Sequence, residues 1–268
     1  MGTEFIIVGE KLNTSRKHVR KAVEERDAEF IKKETVAQAA AGAKFIDVNA
    51  GTNVASEASD LVWMTELVQS VTNLPCCIDS PNPEAIAKAL AVHKGKALIN
   101  SITPEKARLD GIVPLVRQYN TDVVALLMGE GVCTTSAQER LQLADLIVKR
   151  IEKEGIALDR VYFDPAVYAI ATDPRAGLAT IETIRELKRT YPQAKTICGL
   201  SNVSFGLPNR RLLNRTYLAM LVEAGLDGAI MDPTDVGMVS ALYAARALTG
   251  RDEYCMEYIT GHRENKLE

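Results

Sequence analysis

Short apolar runs in this chain end repeatedly on the same few residue types, and those types define a chemistry. The run from Phe5 leads to Glu10 and Asn13, FIDVN ends on Asp47 and Asn49, and CIDS ends on Asp79 and Ser80. LINS brings Asn100 and Ser101, YFD brings Asp164, CGLSN brings Ser201 and Asn202, and IMD brings Asp232. Only the run ending Met128-Gly129 is apolar to its end. The set is carboxylates and amides. No lysine stands at the fourth, sixth or seventh run, and the three histidines (18, 93 and 262) lie in segments that read as helix or tail. That leaves no Schiff-base amine, no Ser-His-Asp triad and no His/Cys cluster with metal-ligand spacing. The set suits a neutral, nitrogen-rich heterocycle. A carboxylate accepts two N–H bonds from an amino-pyrimidine edge, and a carboxamide offers a donor and an acceptor together.

Each of these residues also has a bland explanation, since Asp, Asn and Ser after strands cap helices and make turns. Asp79-Ser80-Pro81 and Asp164-Pro165 fit that reading singly. Seven polar endings out of eight argue for a shared site. So does Asn100, which falls inside the apolar run LINSI, where an unpaired amide costs about 1–3 kcal/mol.

The elements that must carry these residues show a rhythm. Apolar runs recur at 5–9, 44–50, 75–79, 96–101, 122–128, 160–164, 195–201 and 228–232. Between them lie amphipathic stretches. Leu61, Met64, Leu67, Val68 and Val71 share one helical face, as do Leu141, Ala144, Ile147, Val148 and Ile151. Gly42, Gly155 and Gly225 stand where helices should stop. Continuous apolar strands alternating with helices are the pattern of a parallel sheet covered on both faces. Eight units, with no GxGxxG or GxxxxGK[ST] turn, predict an α/β chain folded as a (β/α)8 barrel, one domain over residues 1–268.

Composition excludes other classes. The chain has 268 residues, 47% hydrophobic and 25% charged, with 32 basic against 35 acidic side chains. There is no basic stripe for nucleic acid and no apolar run near the ~20 residues that span a bilayer. The start, MGTEFIIVGEKLN, lacks the features of a signal peptide and reads as the first strand. The five cysteines (76, 77, 133, 198 and 255) have no CxxC spacing and read as buried thiols in a reducing cytoplasm.

These residues resemble a known family. VGEKLN, FIDVNAG, CIDS, LINS, FDP and above all GLSNVSFGLPNR, followed by LLNRTYLAMLVEAGLDGAIMD, are similar to the pterin-binding barrels, and among them to the methyltetrahydrofolate:corrinoid protein methyltransferases. The likeness runs over essentially the whole chain. It implies that Asp79, Asn100 and Asp164 hold a pterin ring with Asp47 nearby. It also implies that Gly199 and Ser201 shape the pocket floor, that Asn202 hydrogen-bonds the pterin N5, and that Arg210 contacts the folate. Glu10, Asn13, Asn49 and Asp232 are further candidates from their strand-end positions. The implied substrates are tetrahydrofolate or methyltetrahydrofolate and a cobalamin carried by a separate corrinoid-binding protein. No bound metal is expected, and a homodimer is implied.

Alternatives stay open at this point. Dihydropteroate synthase asks for Ser-Arg-Lys at strand seven, where this chain has Ser-Asn-Val. A phosphate-binding barrel enzyme asks for a strand-end lysine and glycines after strands seven and eight, for which Gly206 and Gly237 are weak candidates. A non-catalytic pterin-binding module is a third. Methyl transfer could run from methyltetrahydrofolate to the corrinoid, as in acetyl-CoA chemistry, or from a methylated corrinoid to tetrahydrofolate, as in O-demethylation. The loop Phe205-Gly206-Leu207-Pro208 favours the second. The apolar loop 167–170 after strand six reads as packed, with a lid or docking surface as the alternative.

Overall fold

The computed structural model describes residues 4–129 and 136–268. Eight strands form one closed parallel barrel in chain order: β1 Ile6–Asn13, β2 Phe45–Asn49, β3 Cys76–Asp79, β4 Leu98–Ile102, β5 Asp122–Leu126, β6 Val161–Asp164, β7 Lys195–Cys198 and β8 Gly228–Met231. β8 closes on β1 through the pairs Ile6↔Gly228 to Gly9↔Met231. All eight expected runs are strands. β7 is shorter than its apolar run: it stops at Cys198, and Leu200–Ser204 wind into a 3-10 turn. That turn puts Ser201 and Asn202 outside the sheet's hydrogen-bond ladder.

The connections are α1 Lys17–Glu24 and α2 Ala28–Ala40, then α3 Glu57–Val71, α4 Pro83–Val92, α5 Lys106–Gln118 and α6 Ala137–Lys153. The ring continues with α7 Ala176–Thr190, α8 Arg210–Ala224, α9 Val236–Leu248 and α10 Met256–Arg263. Their starts show why they begin where they do. Ser136 makes a capping box with Glu139, and Asp27, Asn82 and Asp235 each accept a hydrogen bond from a first-turn N–H. Among the described residues no helix is long and apolar enough to cross a membrane.

The barrel interior obeys the two-residue period of a strand. Val8, Cys77, Leu98, Val124, Tyr162 and Ile197 pack into one buried layer, joined by Ile6, Phe45 and Ile230. The intervening residues, such as Ile46, Val48, Ile78, Ile99 and Phe163, face outward into the helices. Cys76, Cys77 and Cys198 are buried thiols as expected. Cys255 is exposed, because it precedes the short terminal helix α10 rather than lying in the sheet; Cys133 lies outside the described residues.

Candidate active site

One step of the strand period above that apolar layer, the interior turns polar. Phe45 is followed two residues on by Asp47, Cys77 by Asp79, Leu98 by Asn100, Tyr162 by Asp164 and Ile230 by Asp232. The same step on β5 gives Leu126, and after β7 it gives Gly199. A Cβ built on Gly199 would meet nothing within 4 Å, so that side of the layer is open. The polar ring is therefore a direct product of strand alternation, and it forms the floor of the barrel mouth.

β1 reaches the same layer by a different device. Its register with β2 slips between Gly9 and Leu12, a bulge that lets Glu10 and Lys11 stand against Asp47. The buried Gln38 accepts from the Lys11 N–H at 3.0 Å. Its Oε1 would sit 2.5 Å from a Cβ at position 9, so any larger residue there would push Gln38 off this bond. Glu10 is then held by Arg16 at 2.6 Å. Asn13, beyond the bulge, accepts from the Ser15 N–H and serves its own turn.

The electrostatics of this floor are unusual. Asp47 is buried, and burial followed by the charge of Asp79 drives its carboxyl well above the usual range; the Cys77 thiol and Asn100 amide ease this only in part. Its Oδ1 has no hydrogen-bond partner among the described residues. Asp79 is raised chiefly by burial, against the Asn49 amide, which donates to its Oδ2 at 2.9 Å, and against the positive charge of Arg108. Glu10 is raised by burial too, with Arg16 opposing and Asp232 adding. Burial lifts Asp164 to about 7, although its Oδ1 accepts from the Ala166 N–H at 2.8 Å and Arg140 lies near. Carboxylates that face one another in a buried layer need N–H donors from something else.

Asn202 stands above this floor on the 3-10 turn, exposed and free of any strand. Ser201 is half-buried, and Arg210 starts α8 with its guanidinium folded back to the turn. Asp232 spends Oδ1 on the N–H and hydroxyl of Thr234, so it shapes the loop after β8. Of the residues singled out in the sequence, Glu10, Asp47, Asp79, Asn100, Asp164, Gly199 and Asp232 share one layer, Asn49 reaches Asp79 from one step beyond it on β2, and Asn13 turns away. The loop 167–170 is packed: Val167 is buried, and the Ile170 N–H donates to Val203 O at 3.0 Å.

Three contributors escaped the sequence reading. Arg140 is fully buried, donates to the Thr180 and Thr183 hydroxyls, and stacks on Tyr168 at 5.5 Å behind the Asp164 loop. Glu57 is buried and receives the Ser80 hydroxyl at 2.6 Å. Arg108 faces Asp79. Two of them carried a signal: Arg140 precedes Ala144, Ile147 and Ile151 at helical spacing, and Glu57 does the same before Leu61, Met64 and Val68. A charge on the apolar stripe of a helix marks a buried polar contact.

The chain is similar to proteins of known kind. The family model for pterin binding enzymes matches residues 9–232. The methylcorrinoid:tetrahydrofolate methyltransferase of Eubacterium limosum is 37% identical over 98% of both chains. The methionine synthases of Mycobacterium tuberculosis and Mycobacterium leprae are 29% and 28% identical over 86% of this chain, which spans 20% of their length. Among solved structures, dihydropteroate synthase from Xanthomonas albilineans in complex with 7,8-dihydropteroate superposes with a TM-score of 0.69 at 18% identity, covering 92% of this chain and 94% of that one. A dihydropteroate synthase from Coxiella burnetii gives 0.67 at 17%, covering 92% of this chain and 93% of that one. Those structures share the barrel. The two sequence findings, one spanning most of the chain and the other nearly all of it, place the protein in the family of pterin-binding enzymes.

Proposed function

We propose that this chain is a methyltransferase that moves a methyl group from the cobalt of a methylated corrinoid protein to N5 of tetrahydrofolate. What carries the reading is the end-to-end likeness to the Eubacterium limosum enzyme. The floor of the mouth supports it chemically. Asp79, Asn100 and Asp164, with Asp47 beside them, offer acceptors and one amide to the N–H-rich edge of a pterin, which supplies the donors that the crowded carboxylates lack. Asn49 fixes the orientation of Asp79. The runner-up, dihydropteroate synthase, is disfavoured by Ser201-Asn202-Val203 where it would require Ser-Arg-Lys.

In the reaction the N5 lone pair attacks the methyl carbon and the cobalt–carbon electron pair stays on cobalt, giving Co(I). N5 gains positive charge and then releases its proton to solvent. Asn202 serves this centre because a carboxamide can accept from N5–H and donate to a bare N5, while carrying no charge that would bind one end state too well. The cobalt must come to N5 through the mouth. Val54, Phe205 and Leu212 are 81%, 65% and 60% exposed on the loops and helix start of that end, and in this reading they offer apolar surface to the corrinoid-binding protein. A homodimer belongs to the same reading and is measured by sedimentation.

The test is anaerobic. Tetrahydrofolate and methylcobalamin are mixed with the protein, and the Co(I) absorbance is followed. Rapid Co(I) formation is expected, slowed about 10²- to 10³-fold by Asn202→Ala. A protein that binds no tetrahydrofolate, or an Asn202→Ala variant with an unchanged rate, sinks the reading.

A further inference from the structure

Asn202 sits on a single 3-10 turn of five residues, and such a turn has too few hydrogen bonds to hold a side chain still. The turn is braced from outside. Arg210 donates from Nη2 to the Ser201 carbonyl at 2.6 Å and from Nε to Ser204 Oγ at 3.0 Å. The Ser201 carbonyl belongs to the peptide that leads into Asn202, so this bond sets the plane of that peptide. Ser204 is fully buried, and its hydroxyl donates to Asn214 Oδ1 at 2.7 Å, tying the turn to the second turn of α8. On the far side of Asn202 its own carbonyl accepts from the Phe205 N–H at 3.0 Å. Gly206 at φ +79° and Asn209 at φ +47° reverse the chain in left-handed conformations, which aims Arg210 back at the turn it follows.

We propose that Arg210 is a positioning residue for methyl transfer: its two-pronged contact holds the Ser201–Asn202 peptide so that the Asn202 amide points at N5. This rests on the function proposed above and deepens it. The role implied for this position by family resemblance is contact with the folate itself. The geometry assigns two of the guanidinium's five donors to the protein before any ligand arrives. The clamp is exposed, so it contributes little to global stability, but a displacement of about 1 Å at the reacting atoms can cost on the order of 100-fold in rate. Lysine cannot replace it, since an ammonium is a point charge and not a planar fork.

The roles separate in kinetics. Arg210→Met and Arg210→Lys are assayed with free methylcobalamin, which removes any contact with the corrinoid protein. Two acceptors are used: tetrahydrofolate and a tetrahydropterin lacking the p-aminobenzoyl-glutamate tail. A clamp predicts that kcat falls about 10- to 100-fold on both acceptors while KM for tetrahydrofolate moves less than about threefold. In an Asn202→Ala background the same substitutions should then cost little, because the group they aim is gone. A raised KM with kcat intact, disappearing on the truncated acceptor, overturns the proposal in favour of a folate contact. Equal losses with and without Asn202 overturn it as well. An arm without turnover guards against failure of the functional reading: amide exchange at Phe205 in the free protein should quicken about tenfold in Arg210→Met at unchanged Tm. Unchanged exchange there counts against the clamp whatever the protein catalyses.

Discussion

The two ends of this barrel handle charge in opposite ways. At the end where the strands begin, Asp227 and Asp122 are each met by a lysine. Asp227 Oδ2 receives Lys188 at 2.9 Å, the Thr196 N–H at 2.8 Å and the Thr196 hydroxyl at 3.2 Å. Lys96 neutralises the buried Asp122. His93 accepts the Cys76 N–H at 3.0 Å and so closes the start of β3. At the mouth, burial together with the charges of Asp79 and Glu10 holds the Asp47 carboxyl well above its usual range, burial and Asp232 raise that of Glu10, and burial lifts Asp164 to about 7. The first arrangement stabilises the fold. The second costs stability and holds acceptors ready for a ligand, which is the usual division between a structural and a functional end of a barrel.

The sharpest test is Asp164→Asn, where the two effects should have opposite signs. The folded-state pKa of Asp164 lies near 7, above its unfolded value near 4. Its contribution to stability is therefore full below about pH 4 and is lost as pH rises through 7. At pH 8 the neutral amide should stabilise the protein by on the order of 2–4 kcal/mol, and at pH 4 by almost nothing; thermal unfolding at the two values measures this. Tetrahydrofolate affinity, read by calorimetry, should fall about 10- to 100-fold, the worth of a hydrogen bond to a charged acceptor. A variant that loses stability at pH 8 would break the contrast between the ends.

Asp227→Ala is the mirror experiment. It strands Lys188 and the Thr196 N–H, and should cost about 2–3 kcal/mol of stability in denaturant titration, with folate affinity unchanged. A weakened affinity would mean that the two ends are coupled. The smallest effect belongs to His93, whose pKa is depressed by burial against a hydrogen bond involving Gly95. Its stabilising bond to Cys76 is present above the unfolded value near 6.5 and is lost as pH falls through the lower folded value. About 1 kcal/mol should go with it, and His93→Gln should flatten that slope.

Much of the mouth was readable in the chain because strand alternation is a local rule. Once a run such as KFIDVN is a strand with Phe45 in the core, Asp47 has to share its side, and Asp79, Asn100 and Asp164 follow by the same count. The likeness of GLSNVSFGLPNR to pterin-binding barrels then named the ligand class. Two residues read as strand-end candidates behave differently in space: Asn13 lies past a bulge that no local pattern announces, and Asp232 is engaged with Thr234.

Residue types and their spacing alone determined the eight βα units, the barrel and the polar ring at one end of it, since each follows from period and order along the chain. Tertiary structure alone decided which acids are paired and which are left to repel. It also decided that Arg140 and Glu57 are buried behind the site, and that Arg210 turns back onto the Asn202 turn. The physical reason is that a carboxylate's cost and a guanidinium's aim depend on partners brought close by closure of the barrel. Arg140 and Thr183 are 43 residues apart in the chain yet share a hydrogen bond, and no local pattern encodes that distance.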